Sequence, residues 1–225
     1  MRIPYDQPAP LGSAFIELTQ DVVAAILVTV SEGWQQALAF DDVNAQAGEV
    51  IMTERLRDAM RGTLKAKNHP WGKLMMILPG TESRSDPAVL LPDGRTDIPV
   101  VMINVFLTTQ VHDPHAILEC KRVSGTDAHL CREYVVEGVD RFRTGKYGAN
   151  HGVGFLIGYV IAGTAEGAVD GVNGYLARTS RRSEHLSHFS VTKRVRTWHS
   201  NHTRPSPLPP VQLHHSFLLV DNAAA

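Results

Sequence analysis

The nine residues Val153–Ile161 (Val-Gly-Phe-Leu-Ile-Gly-Tyr-Val-Ile) are apolar almost without interruption and lie between glycines. A strand with one wet face alternates polar and apolar side chains; a run that does not alternate has to be covered on both faces. A second apolar run, Ala116–Ile117–Leu118, passes into Glu119–Cys120–Lys121–Arg122–Val123 and is broken by Gly125. Strands of this kind need a sizeable core. At 225 residues, with 43% hydrophobic and 20% charged residues, the chain has the length and the ordinary globular composition to build one.

Met1–Gly12 carries three prolines and reads as an irregular lead-in. From Ser13, a candidate cap, the apolar residues Phe15, Leu18, Val22, Ile26, Val30, Trp34 and Leu38 recur at helical spacing. A second helix is expected over Asn44–Lys67, with Val50, Leu56, Met60 and Leu64 inward and Glu54 on its polar face. Lys73–Leu78 reads as a short strand ending in Pro79–Gly80, and Thr81–Asp93 as a loop. Arg95–Phe106 is expected as a strand whose Pro99 calls for an edge position or a bulge. Asp127–Phe142 is expected as a helix, Ala165–Leu176 as another, Phe189–Trp198 as a half-exposed strand and His214–Val220 as a closing strand. Helices first, then mixed strands and helices, imply a single α/β domain over 1–225 with a mixed central β-sheet flanked by helices. Its parts are a helical extension (1–48), a core (49–161) and a C-terminal basic extension (162–225).

Formal net charge is -1, so a polyanion partner can be served only by a local basic surface. The two cysteines, Cys120 and Cys131, supply neither a disulfide framework nor a four-ligand zinc set, which fits a reducing cytosol. No signal pattern opens the chain, and its longest apolar run, Val22–Val30, is well short of the roughly 20 residues that cross a bilayer. The expectation is a soluble cytoplasmic protein.

Period two places Glu119 and Lys121 on one face of their strand, with Leu118 and Cys120 on the other. Upstream, Asp97 follows Gly94–Arg95–Thr96. Hydrolysing a phosphodiester requires an anionic water delivered in line to a phosphorus crowded with negative oxygens. Mg²⁺ lowers the water's pKa and neutralises the developing charge, and it takes carboxylates, carbonyls and waters as ligands. Asp97, Glu119 and the Cys120 carbonyl can supply such ligands. Lys121 can orient or deprotonate the attacking water or stabilise the pentavalent phosphorus.

These residues resemble the PD-(D/E)xK nuclease superfamily, also called restriction-endonuclease-like: an Asp on one strand, then Glu-x-Lys on the next, after a helix that often carries another acid. Asp97 and Glu119–Cys120–Lys121 match the pattern, and Glu54 in Thr53–Glu54–Arg55–Leu56 would be the helical acid. The likeness runs from about Glu49 to Ile161. Thr96 stands where the family often has proline, and Asp113–Pro114 lies too close before Glu119 to leave a strand between them. The resemblance implies a restriction-endonuclease-like core and Mg²⁺ (Mn²⁺ may substitute) held by Asp97, Glu119, the Cys120 carbonyl and Glu54. It further implies hydrolysis of DNA to a 5′-phosphate, with target choice by a homodimer or partner protein. A small nuclease of this kind looks most like a bacterial restriction or anti-phage effector. The alternative is a catalytically silent nucleic-acid-binding or scaffold subunit.

Arg178–Arg204 holds seven basic residues against the single acid Glu184, a footprint for phosphate contacts. The expected nucleic-acid contacts are Arg95, Arg122, Arg141, Lys146, Arg181, Arg182, Lys193, Arg194, Arg196 and Arg204. His199, His202, His214 and His215 invite a zinc reading, but no pair-plus-pair spacing supports it, and a structural cluster is expected instead. Gly138 to Lys146 is no P-loop: six residues separate its glycines, and Tyr147 follows the lysine.

Overall fold

The computed structural model describes residues 15–83, 94–190 and 192–220. Two long helices lead, α1 (Gln20–Ala37) and α2 (Glu49–Ala66). They are followed by β1 (Met75–Ile77), a short pair formed by β2 (Glu82–Ser83) and β3 (Gly94–Arg95), and β4 (Ile98–Met102). Helix α3 (Ile103–Thr109) precedes β5 (Ala116–Ser124). Next come α4 (Ala128–Tyr134), a π-helical turn over Val135–Val139, and α5 (Asp140–Arg143). Strand β6 (Val153–Ala162), helix α6 (Ala165–Arg178) and strands β7 (Ser187–His188), β8 (Trp198–His202) and β9 (Val211–Leu219) complete the order.

Seven strands form one mixed sheet in the order β1-β4-β5-β6-β9-β8-β7. The middle of it, β5-β6-β9, is parallel, and the flanking pairs are antiparallel. The apolar run is therefore the central strand, with a parallel neighbour on each side. Its Phe155, Ile157 and Tyr159 pack into a cluster with Ile26, Trp34, Met52 and Met60 from α1 and α2. Its Leu156 and Val160 join Tyr134, Val139, Phe142 and Val172 on the opposite face. Asp127 caps α4, its side chain accepting from the amides of His129 and Leu130, and Thr164 caps α6 through the amide of Gly167.

Several expectations need correction. Ser13 lies outside the described residues, and α1 begins only at Gln20. Val50, expected inward, is 74% exposed, because α2 starts at Glu49 and turns Met52 and Leu56 to the core instead. The strand expected over Arg95–Phe106 ends at Met102. Strand β5 starts at Ala116, opposite Val100, so later residues have no partner on that side and close their own bonds in α3. The His115 imidazole accepts the Met102 amide at 2.9 Å where the ladder stops. Pro99 is not on an edge: β4 lies between β1 and β5. Its carbonyl accepts from the Leu78 amide, one residue past the end of β1, so the missing N–H costs the sheet no interior bond. Of the strand expected over Phe189–Trp198 only Trp198 is in a strand, as the first residue of β8; the other described residues of the segment lie in the loop of the hairpin that pairs His188 with Trp198, and Val191 lies outside the described residues. The closing strand, expected over His214–Val220, runs over Val211–Leu219 between β6 and β8.

Candidate active site

Strand β4 pairs with β5 only through Ile98–Val100 against Ala116–Leu118. Beyond Leu118 the two strands part, leaving the next residues of β5 an unladdered edge on that side. Buried main-chain groups have to find partners elsewhere. Asp97 Oδ2 accepts the Cys120 amide at 2.7 Å, and Glu49 Oε2 accepts the Arg122 amide at 3.1 Å. The Cys120 carbonyl accepts from Lys121 Nζ at 2.8 Å. The same parting of strands that breaks the ladder thus gathers the acids around β5.

Glu119 is fully buried and Lys121 nearly so. Glu119 Oε1 lies 2.9 Å from Lys121 Nζ and 3.0 Å from Arg141 Nη1, whereas its Oε2 is buried with no hydrogen-bond partner. Lys121 Nζ also donates to Glu49 Oε1 at 2.9 Å. Burial, then the nearby Asp97 carboxylate, push Glu119 up to about 8 despite its two cationic neighbours. Burial also raises Asp97, against the pull of Lys121. For Lys121 burial acts downward, but Glu119, Glu49 and Asp97 outweigh it and hold the ammonium firmly protonated. The carboxylates of Asp97, Glu119 and Glu49 face two cations, Lys121 and Arg141, the second shared with the exposed Glu137, so the ionised cluster is short of at least one positive charge, which a proton or a metal cation can supply.

A cleft of about 150 Å³ opens beside Asp97, lined by Glu49, Val50, Thr53, Glu54, Gly80, Arg95 and Thr96 as well. Its walls approach closely: a Cβ on Gly80 would sit 2.4 Å from the Thr96 carbonyl oxygen. Glu54 lines this cleft but is ion-paired with Arg57. The helical acid that reaches Lys121 is Glu49, in the first turn of α2. Starting the helix at Asn44 hid it; the signal was an acid at a helix start.

Among the described residues no group of three His, Cys, Asp or Glu side chains is arranged to hold a metal ion. Two carboxylates, Asp97 and Glu119, and the Cys120 carbonyl form a smaller oxygen set, of the partial kind that Mg²⁺ completes with water. The partnerless Glu119 Oε2 is the observation that fits a cation there. Glu49 and the Cys120 carbonyl are already engaged by the Lys121 ammonium.

The expected basic contacts separate into groups. Arg95 is exposed at the cleft, its Nε donating to the Gly80 carbonyl, and Lys146 lies against Gly94 beside it. Arg122 points to the other strand face, near the Ala45 carbonyl. Arg141 is turned inward onto Glu119. Arg182, Lys193, Arg194 and Arg196 are exposed, Arg196 paired with Glu166. Lys193, Arg194 and Arg196 belong to the β7–β8 hairpin, three strands from β5. Two residues are corrected. Arg181 is held by Glu184 and Asp140. Arg204 is 5% exposed and donates to the carbonyls of Phe142, Gly148, His151 and Pro209, so its guanidinium is buried among main-chain acceptors and turned away from any phosphate backbone.

Two of the histidines, His202 and His215, belong to a buried polar chain. Glu184 Oε2 meets His202 Nδ1 at 2.6 Å, and His202 Nε2 meets Ser200 Oγ at 2.6 Å. Ser200 Oγ lies 2.8 Å from His215 Nε2, and His215 Nδ1 lies 2.9 Å from the Tyr134 hydroxyl. The first three groups have the connectivity of an acyl-transfer triad. Ser200 is only 2% exposed and its hydroxyl is enclosed by two imidazoles, so no substrate carbonyl can approach it. No helix among the described residues is long and apolar enough to cross a membrane. Comparison with protein-family models, with curated proteins and with solved structures finds no match to this chain.

Proposed function

We propose that the protein is a metal-dependent nuclease with a PD-(D/E)xK, restriction-endonuclease-like core that hydrolyses DNA phosphodiester bonds. The observation that carries the reading is the partnerless, buried Glu119 Oε2 beside Asp97 and Lys121, in a cluster short of one positive charge. The order α2, β1, β4, β5, α4–α5, β6 resembles the helix, three strands, helix and strand of the superfamily core. In this reading Asp97, Glu119 and the Cys120 carbonyl hold Mg²⁺ or Mn²⁺, and Glu49 takes the place given to Glu54. Bound there, the cation would activate water and neutralise charge on the scissile phosphate.

Lys121 acts as a fixed cation. Its carboxylate neighbours keep it charged, so it stabilises negative charge on the phosphate by its own field rather than removing a proton. Glu49 positions that ammonium from one side and Glu119 from the other. Arg95 and Lys146 at the cleft are suited to the flanking phosphates, and the exposed hairpin cations to a more distant stretch of duplex. The setting this chemistry suits is a restriction or anti-phage effector with a homodimer or partner protein choosing the target.

The test is nicking of supercoiled plasmid with Mg²⁺ or Mn²⁺ by wild type, Asp97→Ala and Lys121→Ala, with an RNA panel alongside. Nicking that persists in both variants sinks the site. A second reading, a silent nuclease-fold subunit, draws on the saturation of Lys121 Nζ by Glu49, Glu119 and the Cys120 carbonyl. Absence of cleavage with any metal or partner would favour it.

A further inference from the structure

Asp97 lies between β3 and β4, where β4 has already parted from β5, so ladder pairing no longer sets its distance from Glu119. A different connection spans the gap. Tyr147 is fully buried, and its hydroxyl is used twice: it donates to the Arg95 carbonyl at 2.7 Å and accepts from Arg141 Nη1 at 2.6 Å. The same Arg141 nitrogen donates to Glu119 Oε1 at 3.0 Å. The guanidinium carbon lies 5.3 Å from the Tyr147 ring centroid, so the ring supports the plane that makes these bonds. The path runs from the main chain two residues before Asp97 to the carboxylate of Glu119.

Helix geometry delivers the arginine. The π-turn Val135–Val139 inserts extra backbone between α4 and α5 and so rotates Arg141 relative to a continuous α-helix. Gly138 within it faces the Lys121 stem; a Cβ there would stand 3.4 Å from Lys121 Cγ and 3.0 Å from Leu156 Cδ1. The helix can lie close to the strand that carries the site, and a side chain one turn on can reach Glu119.

We propose that Arg141 and Tyr147 form a positioning strut. It fixes the separation of Asp97 from Glu119 and holds Glu119 by Oε1, so that Oε2 is the oxygen left for a cation. The proposal rests on the active-site reading above and removes Arg141 from the nucleic-acid contacts. Tyr147→Phe deletes one hydroxyl from a buried ring, Arg141→Ala deletes the strut, and Arg141→Lys keeps a donor without the fork.

Three measurements decide it: Mn²⁺ affinity by calorimetry without nucleic acid, Cys120 amide exchange by NMR, and kcat and KM for plasmid nicking. Loss of the strut should weaken Mn²⁺ binding and lower kcat by about 10–100-fold in Tyr147→Phe and Arg141→Ala, with KM unchanged. Exchange of the Cys120 amide, which is bonded to Asp97, should quicken about tenfold, and Arg141→Lys should recover part of each loss. Folded variants with unchanged Mn²⁺ affinity and unchanged Cys120 exchange overturn the strut. A raised KM with unchanged Mn²⁺ affinity also overturns it, because Arg141 would then touch substrate directly. If wild type neither binds Mn²⁺ nor cleaves, the nuclease reading falls and Cys120 exchange alone decides the strut.

Discussion

Glu119→Gln separates the charge of the central acid from its shape. The amide oxygen can still accept from Lys121 and Arg141, while the partnerless side becomes an NH₂. In the folded protein the carboxyl titrates at about 8, against 4.5 in an unfolded chain, because burial and Asp97 oppose its ionisation. Between these values the folded state keeps a proton that the unfolded state has lost. Wild-type stability from this group is complete below pH 4.5 and is lost as pH rises through about 8. The slope is at most about 1.4 kcal/mol per pH unit, and the whole effect at most about 5 kcal/mol. Glutamine does not titrate, so the variant should gain on wild type steadily as pH rises. The two should be compared by urea unfolding from about pH 5 to about 8.5. Taking the difference cancels the histidine contributions common to both proteins. Mg²⁺ in excess should flatten the wild-type slope, since a bound cation replaces the proton, and should leave the variant unchanged. Parallel stability curves for the two proteins would refute the buried-acid account.

The remaining expectations concern groups away from the cleft. Arg204→Ala should destabilise the fold by about 2–4 kcal/mol, seen in urea unfolding, because it orphans buried carbonyls and leaves a void. On the nuclease proposal it should not alter the salt dependence of DNA binding, whereas Lys193→Glu with Arg194→Glu should do the reverse, reducing the slope by about two. Ser200→Ala leaves His202 and His215 each short of a partner and should cost about 1–3 kcal/mol while plasmid nicking continues; lost nicking in a folded variant would reopen the triad. Burial holds His151 and His214 down at about 4 against an ordinary 6.5, so acid destabilisation should begin below about pH 6.5 and grow until pH 4, a loss that His151→Gln should make smaller over the same window in thermal melts.

The parts of the fold that were legible are those whose pattern has a single physical solution. Val153–Ile161 has to be covered on both faces, and it is the central strand of the sheet. The helices expected from Asp127 and from Ala165 begin at Ala128 and Ala165. The misreadings arise where pairing overrides pattern. Nothing in Ile103–Phe106 forbids a strand; the chain turns helical because β5 starts too late to offer it a ladder partner. Phe189–Trp198 alternates well, yet pairing of Ser187–His188 with Trp198 and His199 leaves the described residues before Trp198 in a hairpin loop. Arg204 reads as a surface cation because it closes a stretch with seven basic residues and one acid, and only the tertiary fold surrounds it with carbonyls.

The candidate site follows the same division. Asp97, Glu119 and Lys121 are legible because strand period two and an acid just before the preceding strand are local facts. Glu49 is not, because its part depends on an absence: β4 fails to cover the Arg122 amide, and a helix start happens to stand opposite it. Glu54, the acid chosen by pattern, is drawn to Arg57 on its own helix. Side chains that complete a broken ladder carry no sequence period of their own. Strand gaps next to a Glu-x-Lys are therefore the places where acids distant in sequence should be sought. Here the gap also explains the electrostatics: the carboxylates that satisfy the unladdered edge of β5 are the ones that leave the cluster short of a positive charge.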